Sequence, residues 1–312
     1  MLVRAKVLGF CMGVRRAVEM TEAAIAKMPS TEANNTQTGM LPIYTLGPLI
    51  HNPQVLASFR ARGVEILEET ELPACLKRLT GASVIIRAHG LSPAVEEKLR
   101  EQGARIIDAT CPRVKASQNI AFALAEKGYR IFLAGEKDHA EIKGIYGYVM
   151  AGAGKACIIV GNPEEAELAA CKEKEAASRN NLSVKTAIIG QTTISEEEYF
   201  SIAEAVKKYF PQLEIKNTIC RATRDRQDAL RELCSVVDAV IVAGGKESAN
   251  TQRLLSIAKG CGKKAWLVET AADLPAEIPA LLKAEFGAQA IGLSAGASTP
   301  DSVIDEIIQA LL

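Results

Sequence analysis

The sequence predicts a parallel α/β protein divided into several small domains, and three observations predict it. Short apolar runs alternate with longer amphipathic stretches along the chain, the pattern of βαβ units. The strand candidates are too numerous for one twisted sheet, which rarely exceeds ~10 strands. A cysteine recurs in one local context, Cys11, Cys111 and Cys220, 100 and then 109 residues apart. That spacing reads as a threefold pseudo-repeat with one cysteine per unit.

Strands are predicted over 2–8, 43–46, 83–87, 104–108, 130–134, 156–160, 186–190, 213–217, 238–243, 264–268 and 289–293, where apolar and β-branched residues run together. Helical periodicity covers most of the gaps, as at 93–102, 113–127, 196–209 and 300–312. Asn52-Pro53, Ser92-Pro93, Cys111-Pro112 and Thr299-Pro300 place a proline at a first helical position, and Ser195 with Glu198 forms a capping-box pattern. The polar stretch 29–40 has no apolar period and reads as a surface loop. Residues 161–183 read as a helix followed by a mobile connection. Neither has the character of a domain linker.

Composition excludes several functions. Among 312 residues, 48% are apolar and 24% charged, as in ordinary globular proteins. Lys+Arg and Asp+Glu both number 37, so no net field recruits nucleic acid or a membrane surface. No apolar run approaches the ~18 residues that span a bilayer. The N-terminal residues read directly as a strand, without a signal or transit pattern. Eight cysteines are too few for a disulfide scaffold of this length, so a reducing cytoplasm is expected.

In each repeated context a strand ends, the cysteine follows within a few residues, and a helix with early basic residues begins. A thiolate there is favoured by the helix dipole and by nearby Arg and Lys. Three such thiolates would suit zinc or an iron–sulfur cluster. Structural zinc takes four ligands, often as close Cys-x-x-Cys pairs, and the chain has no such pair. Three separated ligands suit a cubane with one iron lacking a protein ligand; three buried structural cysteines are the alternative. Cys75, Cys157, Cys171, Cys234 and Cys261 read as structural.

All three histidines, His51, His89 and His139, fall between a predicted strand and the next helix. In parallel α/β sheets ligands bind at that carboxyl edge. Gln191-Thr192-Thr193 occupies the same slot, as do the glycine-rich turns Gly244 to Asn250 and Ser294 to Pro300. The two turns open onto helix N-termini, which offer backbone N–H groups to a phosphate or diphosphate. Ordinary turn and cap chemistry accounts for either alone. Glu141, two residues after His139, would be a natural proton donor beside a metal centre, and a surface glutamate in a polar loop is the alternative. Nucleotide motifs fail: around Gly154-Lys155, Val149 replaces the first glycine of a P-loop and Ala156 its Ser/Thr, and Cys157 stands where a dinucleotide fingerprint needs glycine.

These segments resemble the LytB/IspH family of 4-hydroxy-3-methylbut-2-enyl diphosphate reductases. The resemblance is carried by Gly9–Ala17, Leu49–Asn52, Arg87–Gly90, Asp108–Pro112, His139–Glu141, Gln191–Thr193, Cys220–Thr223, Ser248–Asn250 and Ala295–Pro300, in the family's order from Val7 to nearly the C-terminus. It implies three small α/β domains in a pseudo-threefold, trefoil-like arrangement around a central [4Fe–4S] cluster held by Cys11, Cys111 and Cys220. The domains would span 12–110, 111–217, and 218–312 with the N-terminal strand 1–11. It implies an allylic diphosphate bound by His51, His89, Ser248, Asn250 and Ser298, with His139 lining the pocket. Thr192 would meet the substrate hydroxyl end and Glu141 would supply protons. An external electron donor of ferredoxin or flavodoxin type is implied, since the chain has no flavin or NAD motif.

Three departures from the family pattern stand out. Ala140 replaces a common proline between His139 and Glu141. Ala249 replaces a serine beside Ser248 and leaves only a backbone N–H for the ligand. The 29–40 loop is longer than usual. Two rival functions stay open on the sequence: a cysteine-dependent acyl-transfer enzyme, and a non-enzymatic iron–sulfur sensor.

Overall fold

The computed structural model describes residues 1–27, 42–152, 157–278 and 290–312, so the 29–40 loop lies outside the described residues. Twelve strands form three separate four-stranded sheets, all parallel. One contains β2 (Ile43–Leu46), β3 (Val64–Leu67), β4 (Ser83–Ile86) and β5 (Arg105–Asp108), in the order β3-β2-β4-β5. A second contains β6 (Arg130–Ala134), β7 (Cys157–Val160), β8 (Thr186–Gly190) and β9 (Glu214–Lys216), in the order β7-β6-β8-β9. The third contains β10 (Ala239–Ala243), β11 (Lys264–Val268), β12 (Ile291–Ala295) and the N-terminal β1 (Leu2–Arg4), in the order β11-β10-β12-β1. The order is the same in all three, with the first strand of the chain taking the outer place that β5 and β9 hold elsewhere. The cysteine pseudo-repeat is therefore a repeat of topology.

Among the described residues the α-helices are α1 (Met12–Ile25), α2 (Pro53–Ala61), the single turn α3 (Leu72–Cys75), α4 (Pro93–Glu101), α5 (Pro112–Glu126), α6 (Ala140–Ala151), α7 (Pro163–Arg179), α8 (Glu196–Lys207), α9 (Arg221–Cys234), α10 (Ala249–Gly260) and α11 (Asp301–Leu311). Ser195 caps α8 by accepting from Glu198 N–H at 3.2 Å, as its motif predicts. Pro300 serves as the cap of α11 rather than its first residue, so that helix begins one residue later than predicted.

Inner strands are buried on both faces, as parallel sheets covered by helices must be. In β6, Phe132 and Ala134 pack with Tyr199 and Ile202 of α8, while Ile131 and Leu133 pack with Ile142 and Ile145 of α6. In β10, Val240 and Val242 meet Leu230 of α9 and Leu254 of α10, and Ile241 meets Ile304 of α11. Contacts divide the chain into two compact units. One comprises Met1–Arg15, Ile50–Ala57 and Cys220–Leu312; the other comprises Arg16–Leu49 and Ser58–Ile219.

The strand β3 is absent from the sequence prediction. Its four residues have Glu65 exposed in the middle, too short an alternation to register. The predicted strand at 289–293 lies at 291–295, because the small residues Ser294 and Ala295 resemble loop yet are wholly buried. The first strand is shorter than predicted, and Lys6 and Val7 beyond it are exposed.

One junction recurs in every sheet. The residue after the inner strand is Gly47, Gly135 or Gly244, each at positive φ, and its N–H donates to Leu67, Val160 or Val268 of the neighbouring edge strand at 2.6, 3.0 and 2.8 Å. At Gly135 a Cβ would lie 2.6 Å from Ile142 Cδ1 and 2.7 Å from Gln191 Oε1. Gly135→Ala is therefore expected to lower stability by about 1–3 kcal/mol, read as a shifted denaturation midpoint at unchanged slope.

Candidate functional site

Every crossover in a parallel sheet leaves its strand at the carboxyl edge and enters a helix N-terminus. The sequence-predicted residues occupy these junctions. The outer strands β1, β5 and β9 lead to Cys11, Cys111 and Cys220. Cys111 and Cys220 are the caps of α5 and α9, and Cys11 immediately precedes α1. The inner strands lead to His51, His89, His139, Thr192, Ser248 and Ser298.

In the first unit, Cys11, Cys220, His51, Ser248, Asn250 and Ser298 come together on and beside the sheet that β1 completes. Cys11 N–H donates to Ala297 O at 3.1 Å, which fixes the loop before α1 to the loop after β12. His51 follows β2 in the chain, yet its backbone packs here: Ser298 Oγ donates to His51 O at 3.0 Å. Only glycine fits at 245, where a Cβ would stand 2.5 Å from that same oxygen. Ser298 thus has its one proton engaged. Ser248 Oγ accepts from Thr251 N–H at 3.4 Å, which leaves its proton for another acceptor. Asn250 is 5% exposed, and neither of its amide atoms has a hydrogen-bond partner among the described residues. Such burial is costly without a partner, which makes the side chain a candidate for meeting a ligand or an ordered water.

In the second unit, Cys111, His89, His139, Glu141 and Thr192 occupy the carboxyl edges of the other two sheets. The rings of His89 and His139 meet edge to face with centroids 5.1 Å apart. His139 caps α6 through Nδ1, which accepts from Glu141 N–H at 3.2 Å. Cys111 N–H donates to Ala88 O at 3.0 Å, beside His89.

Glu141 is 1% exposed and faces Thr192. Its Oε1 accepts from Thr192 N–H at 2.6 Å and its Oε2 from Thr192 Oγ–H at 2.8 Å. Burial lifts its pKa to about 7, against the two Thr192 hydrogen bonds, which favour the anion; Glu136 adds a smaller upward push. An amide N–H can only donate, so the proton of the neutral acid resides on Oε2, where the Thr192 hydroxyl can turn to accept it. With Ala140 between them, His139 and Glu141 make the hydrogen bonds just described.

Two of the other cysteines differ in kind. Burial pushes the Cys157 thiol up to about 12 and that of Cys234, next to Cys261, to about 11, so neither is a ready thiolate. Cys11, Cys111 and Cys220 are partly exposed, as candidate ligands of a metal centre would be. Two residues went unnoticed in the sequence. Arg226, in α9, is 2% exposed and donates to Gly9 O at 2.7 Å. Gln118, in α5, is 1% exposed, has neither amide atom hydrogen-bonded among the described residues, and lies against Gly90 and Gly144. Its spacing of seven from Cys111, two helical turns along one face, was the available signal.

Separated cysteines at helix N-termini, paired imidazoles and a buried acid of near-neutral pKa, all on carboxyl-edge loops, define an α/β enzyme. The chain belongs to the LytB family, whose model, described as LytB protein, matches residues 2–312. It is 45% identical over 309 residues to the 4-hydroxy-3-methylbut-2-enyl diphosphate reductase of Treponema denticola, covering 99% of this chain and 98% of that protein. It is 42% identical to the enzyme of the same name from Treponema pallidum, covering 99% of this chain and 83% of that one. A solved reductase from Plasmodium falciparum superposes with a TM-score of 0.81 at 28% identity, over 99% of this chain and 87% of its own. A structure described as (E)-4-hydroxy-3-methyl-but-2-enyl diphosphate reductase, the terminal enzyme of the non-mevalonate pathway, matches with a TM-score of 0.67 at 34% identity, over 99% and 98% of the two chains. Among the described residues no helix is long and apolar enough to cross a membrane.

The raised pKa of Glu141 fixes a sign. Its folded value of about 7 lies above the ordinary 4.5, so between them the folded protein binds the proton that the unfolded chain has released. The stability this contributes is complete below the unfolded value and is lost as pH rises towards 7, at about 1.4 kcal/mol per pH unit of that interval. Glu141→Gln is expected to abolish this fall, which denaturant unfolding at pH 5, 6, 7 and 8 will show. An identical pH dependence in both proteins would mean that the carboxyl is not held neutral.

Proposed function

We propose that this protein reductively dehydroxylates 4-hydroxy-3-methylbut-2-enyl diphosphate, giving isopentenyl and dimethylallyl diphosphates and water from two electrons and two protons. The observation that carries it is the Glu141–Thr192 pair: a wholly buried acid, near neutrality in pKa, whose proton is directed to a hydroxyl. That is the equipment for protonating a leaving oxygen at neutral pH. The relatives' shared name supplies the substrate.

Cys11, Cys111 and Cys220 are proposed as the ligands of a [4Fe–4S] cluster. The donor set fits: three thiols at helix N-termini, with a buried guanidinium beside two of them. When bound, the cluster would supply electrons and a Lewis-acidic iron with one open position. The chain's own residues do the rest. Asn250, with both amide atoms lacking partners among the described residues, and the Ser248 hydroxyl bind diphosphate oxygens, joined by the backbone N–H of Ala249 at the start of α10 and by Ser298 once its proton turns from His51 O. His51, His89 and His139 complete the anion-binding set. Thr192 orients the hydroxyl end, and Glu141 passes it a proton through Oε2. Binding energy at the diphosphate, remote from the reacting carbon, serves orientation there.

A one-electron carrier of ferredoxin or flavodoxin type is the proposed donor and the cytoplasm the proposed compartment. The proposed domains remain 12–110, 111–217, and 218–312 with 1–11.

Anaerobically reconstituted protein tests this reading through iron, sulfide and turnover of the diphosphate. Cys11→Ser, Cys111→Ser and Cys220→Ser should each lose most of the iron, since a hydroxyl is a poor substitute for thiolate, whereas Cys75→Ser and Cys171→Ser should keep it. Full iron in Cys220→Ser with loss in Cys75→Ser would refute the ligand set. Asn250→Ala should keep the iron and bind the diphosphate more weakly by about 1.5–3 kcal/mol, measured calorimetrically. Unchanged affinity would place the diphosphate elsewhere. A colourless protein with one reactive thiol would point instead to acyl transfer.

A further inference from the structure

We infer that Arg226 is a positioning residue for the iron–sulfur centre, tying the Cys11 loop to the Cys220 helix and supplying a buried positive charge that favours the reduced state. The inference rests on the cluster reading above. Arg226 stands six residues after Cys220 and is 2% exposed. Nη2 donates to Gly9 O at 2.7 Å, two residues ahead of Cys11, and Nη1 to Ala222 O at 2.9 Å, two residues beyond Cys220. Nε is buried without a partner among the described residues. One guanidinium thus spans the backbone beside two of the three proposed ligands.

Its charge is the unusual part. Arginine stays protonated in proteins, and a buried cation is costly unless a negative charge compensates it. No carboxylate forms an ion pair with Arg226 among the described residues, and its two hydrogen bonds go to neutral carbonyls. The carbonyls it holds belong to the loop before Cys11 and to the first turn after Cys220. The missing counter-charge is therefore expected from the thiolates and what they hold. With three thiolates around a dicationic core, the centre is anionic before reduction and more so after it. One electron enters from the external carrier, which is oxidised; no bond forms or breaks in that step. A fixed cation at the ligands stabilises the more negative state and raises the potential.

Potentiometric titration followed by electron paramagnetic resonance tests this on reconstituted wild type, Arg226→Met, Arg226→Gln and Arg226→Lys. At the wild-type midpoint, the Met and Gln variants should show at least a tenfold lower ratio of reduced to oxidised cluster, a 59 mV shift for a one-electron couple. Arg226→Lys should stay within about threefold of wild type, because it keeps the charge while losing the fork. If the Met and Gln variants shed iron while remaining folded by circular dichroism, retention by the Lys variant gives the same conclusion. Full iron and a wild-type midpoint in Arg226→Met would overturn the proposal, as would a Lys variant no better than Met. Wild type that takes up no iron would instead overturn the cluster reading beneath it, and iron content tells the two failures apart.

Discussion

Parallel pairing is the constraint on which the rest depends. Once neighbouring strands run the same way, every connection must cross from a carboxyl end back over the sheet, so all strand-to-helix junctions fall on one edge. Three sheets with one strand order repeat that edge three times. The outer strand of each leads to a cysteine and the inner strands lead to the histidines, hydroxyls and amide. The N-terminal β1 makes the scheme complete: by pairing with β12 it gives Cys11 the position that Cys111 and Cys220 have by local connection.

The polar groups at these edges are divided between those the fold has satisfied and those it has not. Gln191 is satisfied: its Oε1 accepts from Glu136 N–H and its Nε2 donates to Thr193 Oγ, so it serves as scaffold beneath Thr192. Glu141 is satisfied as an anion yet buried as one, and the conflict between hydrogen bonding and desolvation sets its pKa near neutrality. Asn250 and Gln118 are buried with their amides unsatisfied among the described residues. Such groups call for a ligand or an ordered water to complete them, which is why Asn250 enters the proposed diphosphate site.

Charge is managed in the same way. The chain is neutral overall, so the proposed anion binding would depend on local donors: helix N-termini, histidines and polar side chains. Arg226 sits where a carboxylate partner would be expected and none is present among the described residues. Its position joins α9 to the N-terminal segment beside two of the proposed ligands.

Much of this was legible in the sequence because it is local. Strand periodicity, proline at helix starts, the three cysteine contexts and the histidines after strands are all properties of short windows, and short-range backbone preference determines them. The sequence by itself thus determined the parallel α/β class, the cysteines set apart from their five neighbours, and the junctions that carry polar residues. The tertiary structure decided what depends on distant partners. It gave β3 a place that four residues with a central glutamate could not announce, and it moved β12 two residues on, because only packing shows that Ser294 and Ala295 are buried. It brought His51 onto loops that follow β10 and β12, nearly two hundred residues or more along the chain. It buried Glu141 against Thr192, 51 residues away, and Arg226 against Gly9, 217 residues away. The reason is physical: burial, desolvation and the presence or absence of a hydrogen-bond partner belong to the space around a side chain, and that space is filled by residues no local pattern identifies.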